Sequence, residues 1–532
     1  MSVLQAFQGW VDDHINPIVI KELRQAVRGR FLSGVLILFL LIQIVTLGVT
    51  LVSFSFSHNT NFTEGRDYFS ALLFILLGTC LLFIPAYTGF RMGSERTDHR
   101  ADLLFITTLS PRAVITGKLT SSLLLVLLVY SAAFPFMTIS FLLRGIDLPT
   151  IFSMASFSFL SILLAVQWAI FLGSLPLNRA ARLGANIFIL GSSGMIFIST
   201  LTTSFSMMYF GIGSYWRSWQ FWLPAISTML ITLMIVGLLF ALSITALTPS
   251  TANRAYPIRV FSTISYVLTA AFTITSSFLL NDMLPVAAWG VSMSMLLFIS
   301  AFVSVSERKK HTHRVLRTIP QSPLKRTFAF LFYSGSAGGL SWTLCLYLLT
   351  AGMMGLTLKM MPYAKNHSDA ETLILVCIGL AGFAFAYGLT GQVLKKMLFP
   401  KLREHLTWLL ALLVAVIALV IPPIVGLLLG FIKQADGYLF LMTPFIFFEK
   451  KYVAAGAIAG GIWGTLAIFW SLPGWLKQFR SFKRSEKVST PPKKVVSQEQ
   501  AQAPETAEDA QVESGEESEK PSEKESEQVD GE

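Results

Sequence analysis

Long apolar runs separated by short polar connections dominate the chain from Phe31 to about residue 474. Crossing the hydrocarbon layer of a bilayer as a helix takes about 20 apolar residues. Twelve runs reach or approach that length, at 31–56, 69–90, 119–143, 151–173, 186–210, 221–247, 261–280, 285–304, 328–357, 371–393, 406–431 and 453–474. The pattern predicts an all-α polytopic membrane protein with about 12 transmembrane helices. The seventh and eighth runs are parted only by the turn Asn281-Asp282-Met283-Leu284-Pro285. The first run begins too deep, and runs too long, for the apolar part of a cleavable signal peptide, about 7–15 residues. It reads as the first retained span.

Composition narrows the class. Hydrophobic residues make up 53% of the 532 positions and charged residues 13%, where soluble domains carry about 25% charge. Mean hydropathy is +0.63. An ordinary soluble enzyme, a coiled coil and a disordered chain are excluded. The net charge of +11 conceals a split: the segment from Val495 to Glu532 holds 13 acids and two lysines, and the rest of the chain carries +22. The basic residues lie between apolar runs, which points to a membrane surface and not to nucleic acid. With the N-terminus inside, the inner segments up to Lys494 hold 31 Lys+Arg and the outer loops eight. That asymmetry fits the positive-inside rule and places both termini in the cytoplasm. The expected location is the plasma (cytoplasmic, inner) membrane, multi-pass.

Four regions follow. Residues 1–30 form an N-terminal amphipathic interfacial helix, 31–250 a first six-span half, 251–486 a second six-span half, and 487–532 an acidic tail. The tail is rich in Glu, Ser, Gln and Pro without an aromatic residue. It reads as disordered, because it cannot bury enough apolar surface to fold.

Little in the chain carries chemistry of its own. The G-x-x-x-x-G-K-S/T phosphate loop is absent: Gly117-Lys118 has the pair, but Arg112 stands where the first glycine belongs and Leu119 follows the lysine. Span interiors are nearly free of ionisable residues, since Arg91, Arg144, Asp282 and Lys359 sit at ends or in loops. Proton- and sodium-coupled carriers need such groups at membrane depth. His311 and His313 form an H-x-H in a basic loop without a carboxylate cluster, which reads as solvated loop and not as a metal site. Cys80, Cys345 and Cys377 read as small core hydrophobes. Asn61-Phe62-Thr63 and Asn366-His367-Ser368 are glycosylation triplets in outer loops. Gly456, Gly460 and Gly464 form a small-residue stripe in the last span, as do Ser334 to Gly339 at the ninth; both read as helix packing. The aromatic segment 433–452 reads as interfacial or re-entrant. No catalytic, cofactor or metal residue is assigned.

Two inner elements carry more signal. Asn16-Pro17 is a helix start, a side-chain cap followed by proline at the first helical position. Ile20, Leu23, Val27 and Phe31 then share one face, with Lys21, Arg24 and Arg28 away from it. This predicts a helix lying in the interface ahead of the first span. The connection between the second and third spans, RMGSERTDHRADLLFITTLSPRAVITGK, mixes charge with apolar residues. Asp98 is a candidate cap, Leu103, Leu104 and Thr107 share a face, and Ser110-Pro111 restarts a helix. Two short surface helices are expected there.

Together these segments resemble the permease subunit of type-2 ABC exporters. In that family an interfacial helix precedes the first span, and an acid, Leu-Leu, Thr-x-Leu-Ser and Gly-Lys occupy the first cytoplasmic loop. The matching positions are Glu95, Asp102, Leu103, Leu104, Thr107, Leu109, Ser110, Gly117 and Lys118, with Arg96 beside Glu95. The interfacial helix supplies Pro17, Lys21, Glu22, Leu23, Arg24, Val27 and Arg28. The match covers about residues 16–250, and Arg100-Ala101 depart from the family's usual Gly-Thr. The resemblance implies a non-catalytic transport subunit whose loop is a coupling helix seated on a partner ABC ATPase, present in two copies. ATP and Mg belong to that partner. The substrate is not legible. Two other readings stay open: a membrane scaffold recruiting partners through basic loops, and an energy-independent lipid or solute facilitator.

The second half echoes the first. At an offset of 212, Ser306, Glu307, Arg308, His311, Leu316, Ser322 and Pro323 repeat Ser94, Glu95, Arg96, His99, Leu104, Ser110 and Pro111 without a gap. Glu307, Arg308, Leu316, Ser322 and Pro323 mark a second candidate coupling loop. Two parallel six-span halves follow, the second a degenerate repeat or an accessory domain. If both are permease-like, one chain makes a whole translocation unit; otherwise a homodimer or hetero-oligomer is needed.

Overall fold

The structure, a computed structural model, describes residues 16–56, 64–97, 110–142, 146–210, 218–249, 251–308, 311–428 and 439–484. Among them twelve helices are long and apolar enough to cross a membrane, and no strand occurs. The protein is an all-α polytopic membrane protein. A short helix α1 (Pro17–Arg28) precedes the spans. The first six spans are α2 (Arg30–Phe56), α3 (Glu64–Gly78 and Ile84–Thr97, joined through a π-turn at Thr79–Phe83), α4 (Pro111–Leu142), α5 (Leu148–Ser174), α6 (Arg179–Phe210) and α7 (Trp219–Leu247). Then come α8 (Ala255–Leu280), α9 (Leu284–Val305), the short α10 (His313–Arg317) and α11 (Pro323–Phe332), and α12 (Ser336–Met360), α13 (His367–Leu398), α14 (Thr407–Leu428) and α15 (Val453–Ser481). Residues 98–109, the acidic tail and Asn61 lie outside the described residues.

Apolar length locates every span, but the helices overrun it. Helix α3 continues to Thr97 and α4 begins at Pro111, so Arg91, Glu95 and Lys118 are helical residues. The second surface helix expected at Ser110-Pro111 is therefore the first two turns of the third span. The ninth run also differs. It splits into α11 and α12 around Tyr333–Gly335, and the span starts at Ser336. The freed backbone groups find partners from elsewhere, as buried backbone must. Asn253 accepts from Ser334 N at 2.9 Å, Glu307 accepts from Gly335 N, and Arg259 donates to the carbonyls of Leu331 and Tyr333 at 3.0 and 2.7 Å.

The two sets of six spans pack on one plan. In each set the second span touches the first, third, fourth and fifth, the fourth touches the third, fifth and sixth, and the third touches the sixth. The fourth spans, α5 and α13, are thus central. The sets join through α7 and α8.

Close crossings rest on glycine, because helix association in a membrane depends on backbone approach. A Cβ on Gly173 of α5 would lie 2.6 Å from the carbonyl oxygen of Gly89 on α3. Gly460 and Gly464 of α15 meet Gly379 and Gly382 of α13, where a Cβ on Gly464 would lie 2.5 Å from Gly382 O, and Gly456 faces Ile446 and Phe447. The stripe is helix packing, as its spacing suggests. Outward faces such as Ile187, Met195 and Ile458 are exposed and apolar, as lipid-facing surface requires. Cys80 and Cys377 are buried, but Cys345 is exposed on α12 and is no core residue. On the sparsely basic side, Asp282, Lys365 and Asn366 clamp the α8–α9 turn to the start of α13, with Asn366 Nδ2 donating to Asp282 Oδ1 at 2.9 Å. The aromatic segment before α15 forms two 3-10 turns, Pro444–Phe448 and Lys450–Tyr452, and Tyr387 of α13 donates to Met442 O at 2.6 Å.

Candidate functional site behind the first basic loop

Helix α1 starts as its sequence dictates. The Asn16 side chain accepts from Ile18 N at 3.1 Å and Pro17 opens the helix. The Asn16 amide also donates to Ala113 O on α4 at 2.6 Å, so the cap is a tether as well. The helix has three faces. Lys21, Arg24 and Arg28 are exposed, and along the apolar stripe Val27 is exposed while Ile20 and Leu23 are partly buried, Leu23 against the core. The docking face is a different one: Ile18, Glu22 and Ala26 are buried. Ile18 lies on Gly117, where a Cβ would sit 2.8 Å from it. Gly117→Leu is therefore expected to lift α1 from α4. In a cysteine-free background, a cysteine at position 18 should then react with a maleimide at least about tenfold faster; an unchanged rate contradicts the contact.

The docked face carries an acid, and that acid organises the site. Glu22 Oε1 accepts from Lys118 Nζ at 2.9 Å, and Lys118 also reaches Glu95 Oε2 at 2.9 Å. Arg91 Nε lies 3.2 Å from Glu22 Oε2 and 3.6 Å from Glu95 Oε1. Arg91 Nη1 donates to Tyr87 Oη at 2.7 Å. Lys118 and Glu22 side chains are 5% and 8% exposed, and Arg91 and Glu95 about a quarter. Two cations and two carboxylates close a neutral square. Burying an isolated charge is costly, but a paired and hydrogen-bonded set offsets that cost. A small cavity beside it is lined by Tyr87, Thr88, Ser121 and Ser122 together with Leu23, Ala26 and Leu125.

This network joins three helices around one loop. Arg91 and Glu95 belong to the end of α3, Lys118 to the start of α4, and Glu22 to α1. The 98–109 connection leaves from one side of the square and returns to the other. Ser110 completes the return, its Oγ accepting from Ala113 N at 3.2 Å. The structure thus brings Glu95, Lys118, Gly117 and Glu22 together and keeps Ser110 as a cap. Arg96 turns away, donating to Ala246 O at 3.0 Å. Asp102, Leu103, Leu104, Thr107 and Leu109 lie outside the described residues. Arg91 and Tyr87 were not singled out from the sequence as site residues. The available signal was Glu22, the single acid among the basic residues of 16–30, together with the i, i+4 pair Arg91–Glu95.

The second loop is built differently on the same frame. Glu307 pairs with Arg259 of α8, whose side chain is 4% exposed. Pro323 opens α11 as Pro111 opens α4, with Ser322 at the cap. At the offset of 212, however, Val303 replaces Arg91 and Phe330 replaces Lys118. Phe330 packs edge-on to Phe479 and Phe482 at 5.2 and 5.4 Å, with Ile319 buried and Leu316 partly buried around them. Aromatic packing onto the end of α15 stands where ions stand in the first half. His311 is not a solvated loop residue. Its ring lies 5.4 Å from Phe482, and burial holds its pKa below the usual histidine value, so it is neutral at pH 7. Arg308 is exposed.

Comparison with protein-family models, with curated proteins and with solved structures finds no match for this chain, so its own charges and helix contacts carry the functional reading.

Proposed function

We propose that the chain is the membrane-spanning permease subunit of an ABC-type exporter in the cytoplasmic membrane. ATP is hydrolysed with Mg by a separate ATPase subunit, two copies of which dock on the cytoplasmic face. This chain catalyses nothing and holds no cofactor. The observation that carries the reading is the Glu22–Lys118–Glu95–Arg91 square. A push on a loosely attached loop would dissipate in the loop. A push on 98–109 reaches α1, α3 and α4 together, because both ends of that connection and the interfacial helix share one buried ion cluster. The resemblance of residues 16–250 to type-2 exporter permeases supports the same assignment. The shared packing plan supports a chain that supplies both halves of the translocation unit, with the Glu307 loop as the second contact. The scarcity of ionisable groups within the span interiors supports energy entering from a partner.

The test is co-purification. Tagged protein drawn from its native membrane under gentle crosslinking should bring down an ATPase, and a Glu95→Lys, Leu104→Asp variant should lose it. If neither form retains an ATPase, the exporter reading fails, and a scaffold or an energy-independent facilitator replaces it.

A further inference from the structure

A second concentration of charge lies beside the ion square and takes no part in it. Arg96, next to Glu95, donates from Nη2 to Ala246 O near the end of α7. Arg182 on α6 is 8% exposed and donates to Gly173 O and Leu175 O, both at 3.0 Å, at the end of α5. Its shaft rests on Gly93, one turn before Arg96. Arg254, just before α8, donates from Nε to Thr248 O at 2.8 Å. The contacts gather these guanidiniums: Arg182 lies on the turn of α3 that precedes Arg96, and Arg96 and Arg254 donate to carbonyls two residues apart at the end of α7, so their charges repel one another, and Arg254 also feels the charge of Arg308.

Capping helix ends explains part of this grouping. The C-terminal ends of α5 and α7 offer about −0.5 charge each. Three guanidiniums against that leave about +2. Glu95 and Glu307 are committed elsewhere, Glu95 to Lys118 and Arg91, and Glu307 to Arg259. Among the described residues no carboxylate forms an ion pair with these three arginines. Two donors, Arg96 Nη1 and Arg182 Nε, are buried without a partner. A buried donor left without a partner is unfavourable, since it has lost its water and gained nothing in return. Like charges packed together with spare buried donors describe a site whose counter-ion is supplied from outside.

We propose that Arg96, Arg182 and Arg254, with Arg308 at the rim, bind a phosphate group at the junction of the two six-span sets. Planar guanidinium forks match phosphate oxygens, and a charge of −1 to −2 balances the excess. The site lies where α3, α6, α7 and α8 leave the apolar layer on the Lys/Arg-rich side, the depth of lipid phosphates. Basic pockets between helices at that depth take anionic headgroups. A soluble phosphate offers the same chemistry from the aqueous side. The acidic tail of this chain is the rival occupant, and its carboxylates lack the compact tetrahedral set of acceptors that converging forks require.

The experiment uses the full-length, delipidated protein in neutral detergent. Native mass spectrometry counts adducts during titration with phosphatidylglycerol or phosphatidylcholine, and thermal unfolding is followed with inorganic phosphate. Wild type should hold phosphatidylglycerol at least about tenfold more tightly than phosphatidylcholine. Arg96→Gln and Arg254→Gln should each abolish the preference, while Arg254→Lys, which keeps the charge, retains part of it. A phosphatidylglycerol preference with inorganic phosphate inert makes the ligand a lipid headgroup. Stabilisation by inorganic phosphate, lost in the same variants, makes it a soluble phosphate. An unchanged preference in the variants, or no binding of either ligand by wild type, overturns the proposal. So does a full-length variant with Glu513, Glu516, Glu517 and Glu519 changed to Gln that gains binding wild type lacks, because the tail is then the occupant.

Discussion

Lys118→Met is expected to destabilise the protein by about 3–5 kcal/mol, the usual cost of removing one partner from a buried ion set. The ammonium holds Glu22 and Glu95 at 2.9 Å each. Methionine fills the space and leaves two carboxylates sharing Arg91 alone. Thermal unfolding in detergent should show a midpoint lower by several degrees. Adding Glu22→Gln removes the surplus negative charge and leaves Arg91 and Glu95 as a balanced pair. The double variant should therefore recover at least about half of the loss, a non-additivity expected only of residues in contact. Lys118→Met at wild-type stability, or strictly additive losses, would show that the square is not a working unit. On the proposed exporter function, where the double variant folds, transport should remain at least about tenfold impaired while the partner's ATP hydrolysis continues, because the charged link between α1 and α4 is gone and only the Asn16 and Ile18 contacts remain.

Gly464→Leu is expected to prevent assembly of the second six-span set. Helix α15 crosses α13 at glycines on both sides, and a Cβ at position 464 already falls 2.5 Å from Gly382 O and 2.8 Å from its Cα. These neighbours are backbone and cannot rotate away. Overpacking costs about 1–3 kcal/mol even where side chains can move, so a leucine here must separate the helices. The folded, monodisperse fraction in size-exclusion chromatography should fall at least about tenfold. Gly461 is the internal control. It lies on the same helix with nothing within 4 Å of its Cβ position. Gly461→Leu should be tolerated, and slightly favoured by helix propensity. Equal losses at 461 and 464 would contradict the packing.

Hydropathy was enough to find the spans, because lipid contact imposes a composition that can be read residue by residue. Their ends were less legible. Lys118, Arg91 and Glu95 read as polar loop until their pairing lets the helices carry them on. The break at Tyr333–Gly335 was hidden for a related reason. Its polar partners, Asn253, Arg259 and Glu307, come from distant positions that no local pattern joins. Glu95, Gly117 and Lys118 were marked by motif, yet Glu22 became meaningful only when α1 turned its second face onto α4. The basic second loop looked solvated because its charges are numerous. Its anchor is Phe330, Phe479 and Phe482, and the last two lie about 150 residues downstream. Spacing reports which residues share a face, but not what that face meets.

The most direct test of the permease assignment is site-specific photo-crosslinking from the first loop in the native membrane. A photoreactive residue at Leu104, and separately at Leu316, should each capture an ATPase polypeptide, and capture at position 104 should fall when Lys118 is replaced by Met. Capture of the same polypeptide at both sites fits one chain serving two ATPase copies. No ATPase at position 104, or capture only of proteins without nucleotide-hydrolysing activity, would contradict the account.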